Sequence, residues 1–356
     1  LDARTPGRTD AIRQEAESRF RKDGNGAEPQ KAGTLIEVVW ARYHDEVAGI
    51  QRKACDTLRL IERHIAPHPL AAKPFLEMTT ADYDTLFRDA QKKATAIIAD
   101  RVKGRCAMTC EWYRQHVDVR YQSPIGKAKR DKREADEKER KRVLADWEIA
   151  ALWNAWESSD TTFGQVMRLL TLLPLRRDKV ATMRWSDINF ITRTWTIPKE
   201  AREKGTARKL VLPEAAMKIL RNREKTEHNQ VFVFGCQAGK PFRGFGQGKT
   251  RCTDDLAKAG IDFERDPRNA EIEAKERDWR PHDCRRTGRT LLTRLKIDYL
   301  VAESLLGHSV GTRVSRIYNR AIDTDEFRAE MNEALEKLSA EIMRIVAADY
   351  SDVKVA

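Results

Sequence analysis

The chain has 356 residues, 40% of them apolar, with eight Trp and eleven Phe, and a formal net charge of +12. That length accommodates two domains, each with its own core, and the apolar content excludes a chain that stays disordered. No apolar run approaches the ~18 residues of a spanning helix, and the excess of cations points to a polyanionic partner, nucleic acid or an anionic membrane surface.

Residues 1–33 are polar and contain one charged helical stretch ending at "DGNG". They read as a connector from something upstream. Leu1 opens the chain with no charged-then-apolar leader, so a fragment of a longer cytoplasmic protein is expected. Over 34–125 the pattern is helical. Leu35, Val38, Val39 and Tyr43 recur at helix spacing, "ACDTLRLIERHI" follows, and "TADYDTLFRDAQKKATAIIADRVKGRCAMTCEWYRQHV" forms a further run. At the start of that run Thr80 precedes Asp82 and Asp84, acids suited to the positive end of a helix dipole. A bundle of four or five helices is predicted.

Residues 126–142 carry nine Lys/Arg against five Asp/Glu and no apolar period. They read as a solvated linker that, when extended, can track a phosphate backbone. Beyond it, Ile149, Leu152 and Trp156 share one face of a helix. Residues 182–213 alternate apolar and polar side chains between turn residues, which predicts a small antiparallel sheet. "QVFVFG" is a candidate for one further short strand. From Pro281 onward the pattern is helical again. The fold class expected is mainly α with a small antiparallel sheet (α+β).

The six cysteines, at 55, 106, 110, 236, 252 and 284, show no spacing that completes a zinc site; Cys106 and Cys110 lie four apart on a predicted helix. They read as reduced thiols, and neither metal nor cofactor is expected.

Half of the net charge lies in 41 residues: between Arg280 and Arg320 there are nine Lys/Arg and three Asp/Glu. Upstream, Arg176 and Arg177 follow an apolar helix where the chain enters the sheet. An arginine there needs an anion or an acid, and Asp178 or Asp187 would serve. "HDCRR" sets His282 and Arg285 three apart, on one face of a helix start. "LLGHS" ends a helix at Gly307, a left-handed cap, and delivers His308 just beyond it. Tyr318 sits among Arg313, Arg316 and Arg320. Singly, these are a surface pair, a capping group and a packed ring. In combination they answer the needs of phosphodiester chemistry. Two arginines fork onto the non-bridging oxygens that gain charge in the transition state. A phenol with an ordinary pKa of about 10 becomes a nucleophile in a cationic site with a proton acceptor, and a lysine can protonate the departing oxygen.

In "LRRDKVATMRWSDI", "PHDCRRT" and "LLGHSVGTRVSRIYNRA" the chain resembles the tyrosine recombinases of the phage-integrase family, most closely integrases of prophages and genomic islands. The resemblance implies a catalytic domain over 143–325, a helical core-binding domain over 34–125, a C-shaped clamp around DNA, and an arm-binding domain absent upstream of 1–33. Carried over, it makes Arg176 and Arg285 the phosphate clamp and His282 the acceptor of the tyrosine proton. His308 becomes a hydrogen-bonding partner of the scissile phosphate, and Tyr318 the residue that forms a 3′-phosphotyrosine. Lys204 is the general acid, with Lys199 and Lys209 as neighbours that could replace it. Two positions depart from the family pattern. Leu173-Pro174 stand where Thr-Gly is usual, and Lys179 where an acid is usual, with Asp178 one place earlier. They leave open how Arg176 is buttressed, and Arg177 is the alternative clamp.

Further DNA contacts are expected from Arg177, Arg286, Arg289 and Arg316, from Lys127, Lys129 and Arg130 in the linker, and from Arg101, Lys103 and Arg105 in the helical domain. The implied partners are double-stranded attachment sites and, on synaptic DNA, a homotetramer formed from free monomers, with accessory DNA-bending proteins and no membrane. Competing readings are a type IB topoisomerase and a DNA-binding regulator that has lost cleavage. In the tail over 326–356, Phe327, Met331, Leu335, Leu338, Ile342 and Ile345 form a stripe at helical spacing, able to enter a neighbour or to dock on the chain's own core.

Overall fold

The computed structural model describes residues 33–51, 54–125, 140–198, 208–223, 225–308 and 324–350. The chain separates into two compact units, dividing between Glu137 and Lys138.

In the first unit, α1 (Leu35–Arg42) runs on through wider turns over Tyr43–Val47, and α2 (Ala54–Leu60) does the same over Ile61–Ile65. Helix α3 (Thr80–Lys93) starts in a capping box. The Thr79 N–H donates to Asp82 at 2.8 Å and the Asp82 N–H donates to the Thr79 hydroxyl at 3.3 Å. Lys73 reaches the same carboxylate at 2.6 Å, and this bond with the cap holds Asp82 down to about 2.

Helix α4 (Ala96–His116) follows after a break. The last helical stretch of this unit is therefore built as two helices, within the four or five expected. Ala94 leaves helical geometry (φ −140°, ψ −101°), and the Thr95 hydroxyl accepts the Ile98 N–H at 3.3 Å to cap a new start. Apolar periodicity does not register a threonine that offers the backbone another partner. Leu35, Val38, Ile65, Phe75, Leu86, Val102 and Cys106 are fully buried in this unit's core.

The second unit begins with α5 (Asp146–Ser159), α6 (Thr162–Leu172) and the short α7 (Arg177–Ala181). The sheet follows as β1 (Ile188–Asn189), β2 (Thr194–Ile197) and β3 (Arg208–Val211), antiparallel and in that order. Trp195 pairs with Leu210, both buried, so the inner face of the sheet joins the core, while the intervening pair Thr196 and Lys209 faces outward. The segment "QVFVFG" is not a strand: Phe232 makes one isolated bridge to Arg184, and Val233 and Phe234 are buried as loop side chains.

Helices α8 (Glu214–Arg221), α9 (Phe245–Lys258), α10 (Ala274–Arg277), α11 (Pro281–Arg294) and α12 (Tyr299–Leu306) come next, then α13 (Asp325–Ala347). The apolar stripe of α13 is buried against its own chain, packing on α5, α6, α11 and α12. Leu338, Ile342 and Ile345 have no exposed surface. All six cysteines are free thiols. Among the described residues, no helix is long and apolar enough to cross a membrane.

Candidate active site

The site is assembled from three chain reversals in the second unit. At the first, α6 stops at a tight turn in which Leu175 N–H donates to Leu173 O at 2.6 Å across Pro174. Proline has no N–H with which to continue the helix, and its carbonyl is left facing α11. Arg176 follows as the residue capping α7. The close approach depends on Gly288 of α11, because a Cβ there would lie 2.8 Å from the Pro174 ring.

At the second, α11 opens with Pro281 in its first turn, a position where the missing N–H costs nothing. Asp283 has no exposed surface and accepts the Arg280 N–H at 2.8 Å. Arg140 forks onto this carboxylate, Nε at 3.0 and 3.2 Å and Nη2 at 2.7 Å, and Arg286 adds a bond at 2.9 Å. Arg140 also donates to the carbonyls of Glu276 and Asp278. The first turn of α11 is thereby clamped, and with it His282 on one side of Asp283 and Arg285 on the other. Burial alone would lower the Arg140 pKa, but the bonds to Asp283 outweigh it and the net direction is upward.

At the third, α12 ends on Gly307 in the left-handed region (φ 74°), a geometry glycine adopts without strain. Arg285 is 5% exposed and meets this end directly. Its Nη1 donates to Leu306 O at 2.8 Å and to Pro174 O at 3.0 Å, and its Nη2 lies 2.6 Å from His308 Nε2. Arg176, solvent-exposed, donates from Nη1 to Gly307 O at 3.2 Å. The two arginines thus attach to successive carbonyls at the negative end of α12. On the other edge of the imidazole, His308 Nδ1 is 2.6 Å from Glu303 Oε2.

His282 is solvent-accessible, and its pKa lies below the ordinary histidine value. Partial burial is the larger cause, followed by the cationic neighbours Arg286 and Arg285, against a smaller opposing pull from Asp283. Its neutral form is favoured, as a proton acceptor requires.

The structure therefore brings together Arg176, Arg285 and His308, with His282 one turn before Arg285 on α11. Tyr318, Lys204, Lys199, Arg316, Lys127, Lys129 and Arg130 lie outside the described residues. Lys209 is on the outer face of β3. Of the acids named for Arg176, Asp178 instead pairs with Arg177 at 3.4 Å. Among the described residues no carboxylate is within ion-pair distance of Arg176. Lys179 donates to Pro198 O at 3.2 Å, at the end of β2.

The further DNA candidates are also placed. Arg177 lies over the Phe245 ring, Arg286 is on Asp283, and Arg289 is on Glu303 at 2.7 Å. On α4, Arg101 is exposed, Lys103 lies over Phe87, and Arg105 sits where burial and Arg101 lower its pKa.

Three residues of the site were not singled out by the motifs: Arg140, Asp283 and Glu303. Asp283 stood inside "HDCRR", between two residues that were. Glu303, one turn before Gly-His, carried a signal in that an acid so placed can fold back across the cap. Arg140 is 143 positions from its partner, and no local pattern reports such a pairing.

Two guanidinium groups and two imidazoles gathered at helix ends are suited to hold a phosphodiester and to take up a proton beside it. The class this defines is a phosphoryl-transfer site of the kind that works on nucleic-acid strands. Residues 142–324 match the Phage integrase family. An integrase of the Tn1549 transposon, solved with transposon right end DNA, is similar to this chain at 16% identity and a TM-score of 0.60, covering 84% of this chain and 99% of its own. Lambda integrase, solved as a dimer on a COC′ core site, is 18% identical with a TM-score of 0.56, covering 88% and 86% respectively. The lambda integrase tetramer on a Holliday junction gives 20% identity and a TM-score of 0.55, covering 86% and 87%. No curated protein sequence matches the chain. The chain belongs to the phage integrase family, the tyrosine recombinases, and is a site-specific DNA recombinase that cuts and rejoins strands.

Proposed function

We propose that Tyr318 attacks a scissile phosphate held by Arg176, Arg285 and His308. The bond from the phenol oxygen to phosphorus forms as the bond to the 5′-oxygen breaks. The phenol proton passes to His282, and the ammonium of Lys204 protonates the departing 5′-hydroxyl. The linkage keeps the energy of the phosphodiester, so a second 5′-hydroxyl can reverse the step on a partner duplex without ATP. The roles of Tyr318 and Lys204 rest on the motifs that contain them. The observation that carries the reading is Arg285, buried and hydrogen-bonded at the end of α12, with His308 on its outer nitrogen and Arg176 on the adjoining carbonyl.

In this reading residues 143–325 form the catalytic domain, 34–125 the core-binding domain and 126–142 the basic linker that joins them. The partner is double-stranded attachment-site DNA in the cytoplasm, bound with the help of DNA-bending proteins. Its likeness to integrases solved on a core site and on a Holliday junction supports a homotetramer on synaptic DNA, assembled from monomers.

A nicked suicide substrate tests the chemistry. The chain should become trapped on DNA, and Tyr318→Phe should abolish trapping while DNA affinity stays within about twofold, because most contacts are to phosphates elsewhere. Covalent complex from the Phe variant would remove Tyr318 as the nucleophile. Binding by the unaltered chain without trapping would favour the regulator reading, and relaxation of plasmids lacking any attachment site would favour the topoisomerase.

A further inference from the structure

The His308 ring has two nitrogens and two partners, and their chemistry settles where its proton lies. Arg285 Nη2, at 2.6 Å from Nε2, is a group that can only donate. Nε2 is therefore the acceptor, and the proton sits on Nδ1, where Glu303 Oε2 receives it at 2.6 Å. We infer that Glu303 is the positioning residue of this active site: its bond to Nδ1 fixes the plane of His308, so that Nε2 accepts from Arg285 and holds that guanidinium at the phosphate-binding edge. The inference rests on the proposed role of Arg285 toward the phosphate.

Three features make Glu303 more than a chance neighbour. Its backbone carbonyl accepts the His308 N–H at 3.0 Å, so a single residue sets both the main chain and the ring of His308. Its other carboxylate oxygen accepts Arg289 Nε at 2.7 Å, and Arg289 is steadied by the Thr293 hydroxyl at 2.6 Å and by the Tyr299 ring. The carboxylate thus bridges α11 and α12 and cannot swing freely. Burial works against its charge, but the bonds from Arg289 and His308 overcome this and hold Glu303 below the ordinary glutamate value, so it is ionised at neutral pH. A carboxylate behind an imidazole orients the ring and accepts the proton of its outer nitrogen, the logic by which outer partners tune working histidines. Asp178 is engaged by Arg177, and within the described residues Glu303 is the carboxylate that reaches this imidazole.

The test uses the full chain and four forms: unaltered, Glu303→Ala, Glu303→Gln and Glu303→Asp. Two readouts are taken, the rate of single-turnover trapping at saturating suicide substrate and the position of the His308 proton by nitrogen-15 NMR, assigned with His308→Gln. Glu303→Ala should slow trapping about 10- to 100-fold, the range seen when an outer partner of a working histidine is lost. DNA affinity should stay within about threefold, and the Nδ1 proton, no longer bonded to a carboxylate, should shift upfield and exchange faster with water. Glu303→Gln retains an acceptor and should restore the hydrogen bond of the Nδ1 proton and recover most of the rate, with Glu303→Asp falling between. Melting temperatures separate loss of fold from loss of position. Trapping by a folded Glu303→Ala within twofold of the unaltered chain overturns the inference. So does a Gln variant that keeps the Nδ1 proton yet is as slow as Ala. If the unaltered chain traps nothing, the recombination chemistry fails on its own account. The NMR arm still judges the pairing, since a His308 proton on Nε2 refutes it.

Discussion

Asp283→Ala is the substitution whose consequence follows most directly from the structure. The carboxylate has no exposed surface, and its principal partner Arg140 has 9% of its side chain exposed. Removing one member of a buried ion pair costs about 3–5 kcal/mol, because the other is left charged and poorly solvated. Here the stranded group is Arg140, which keeps the carbonyls of Glu276 and Asp278, whereas Arg286, 32% exposed, can turn to water. Arg140→Ala should cost less, about 1–3 kcal/mol, since Asp283 retains Arg286 and the Arg280 N–H. The double variant should lose about 0.5–3 kcal/mol less than the sum of the two. For a unit of about 200 residues each kcal/mol moves the melting temperature by about 2–4 °C, so Asp283→Ala should lower it by roughly 6–20 °C. Calorimetry is the assay, with the transition of the first unit as an internal reference that should not move. A loss below about 1 kcal/mol, or strict additivity of the two substitutions, would show that the pair does not clamp the start of α11.

Other expectations follow from particular contacts. Gly288→Ala places a methyl 2.8 Å from the stiff Pro174 ring and should cost about 1–3 kcal/mol, with slower trapping because Arg285 is anchored on the Pro174 carbonyl; unchanged melting and rate would contradict the packing. Because His282 has a folded pKa below its ordinary value of 6.5, the unfolded chain binds its proton first. The stability from this group is complete above about pH 6.5 and declines as pH falls toward the folded value. His282→Gln should flatten that decline, and parallel stability curves between pH 7 and 5 would count against it. Leu338→Ala in α13 opens a cavity in the chain's own core and should cost about 2–5 kcal/mol at every protein concentration; a loss seen only in DNA-bound assemblies would mean that the stripe serves a neighbour. Binding to DNA should fall by orders of magnitude between low and moderate salt, as expected of contacts made chiefly to phosphates, and a flat salt response would exclude that mode.

Periodicity was enough to recognise α1, α5 and the sheet, because Leu35, Val38, Ile149 and Trp195 repeat at intervals that only one local geometry buries on a single face. The motifs marked Arg176, His282, Arg285 and His308 for a comparable reason: cations and imidazoles at helix ends stand out against an apolar background, and Gly307 announces the turn that delivers the last of them. What the linear order could not express was the partner of each polar group. The break at Ala94 depends on a threonine hydroxyl competing for the backbone, and "QVFVFG" pairs with residues 183–185 through a single bridge before the chain turns away.

Residue types and their order along the chain therefore determined the fold class and the chemistry, since both depend on local spacing and on what each side chain can donate or accept. Tertiary structure alone decided which carboxylate clamps α11, which carbonyls hold Arg285, and where the proton of His308 resides. Those choices are made by burial and by contacts between residues as far apart as Arg140 and Asp283, and a charge acquires its partner only once folding has taken water away from it.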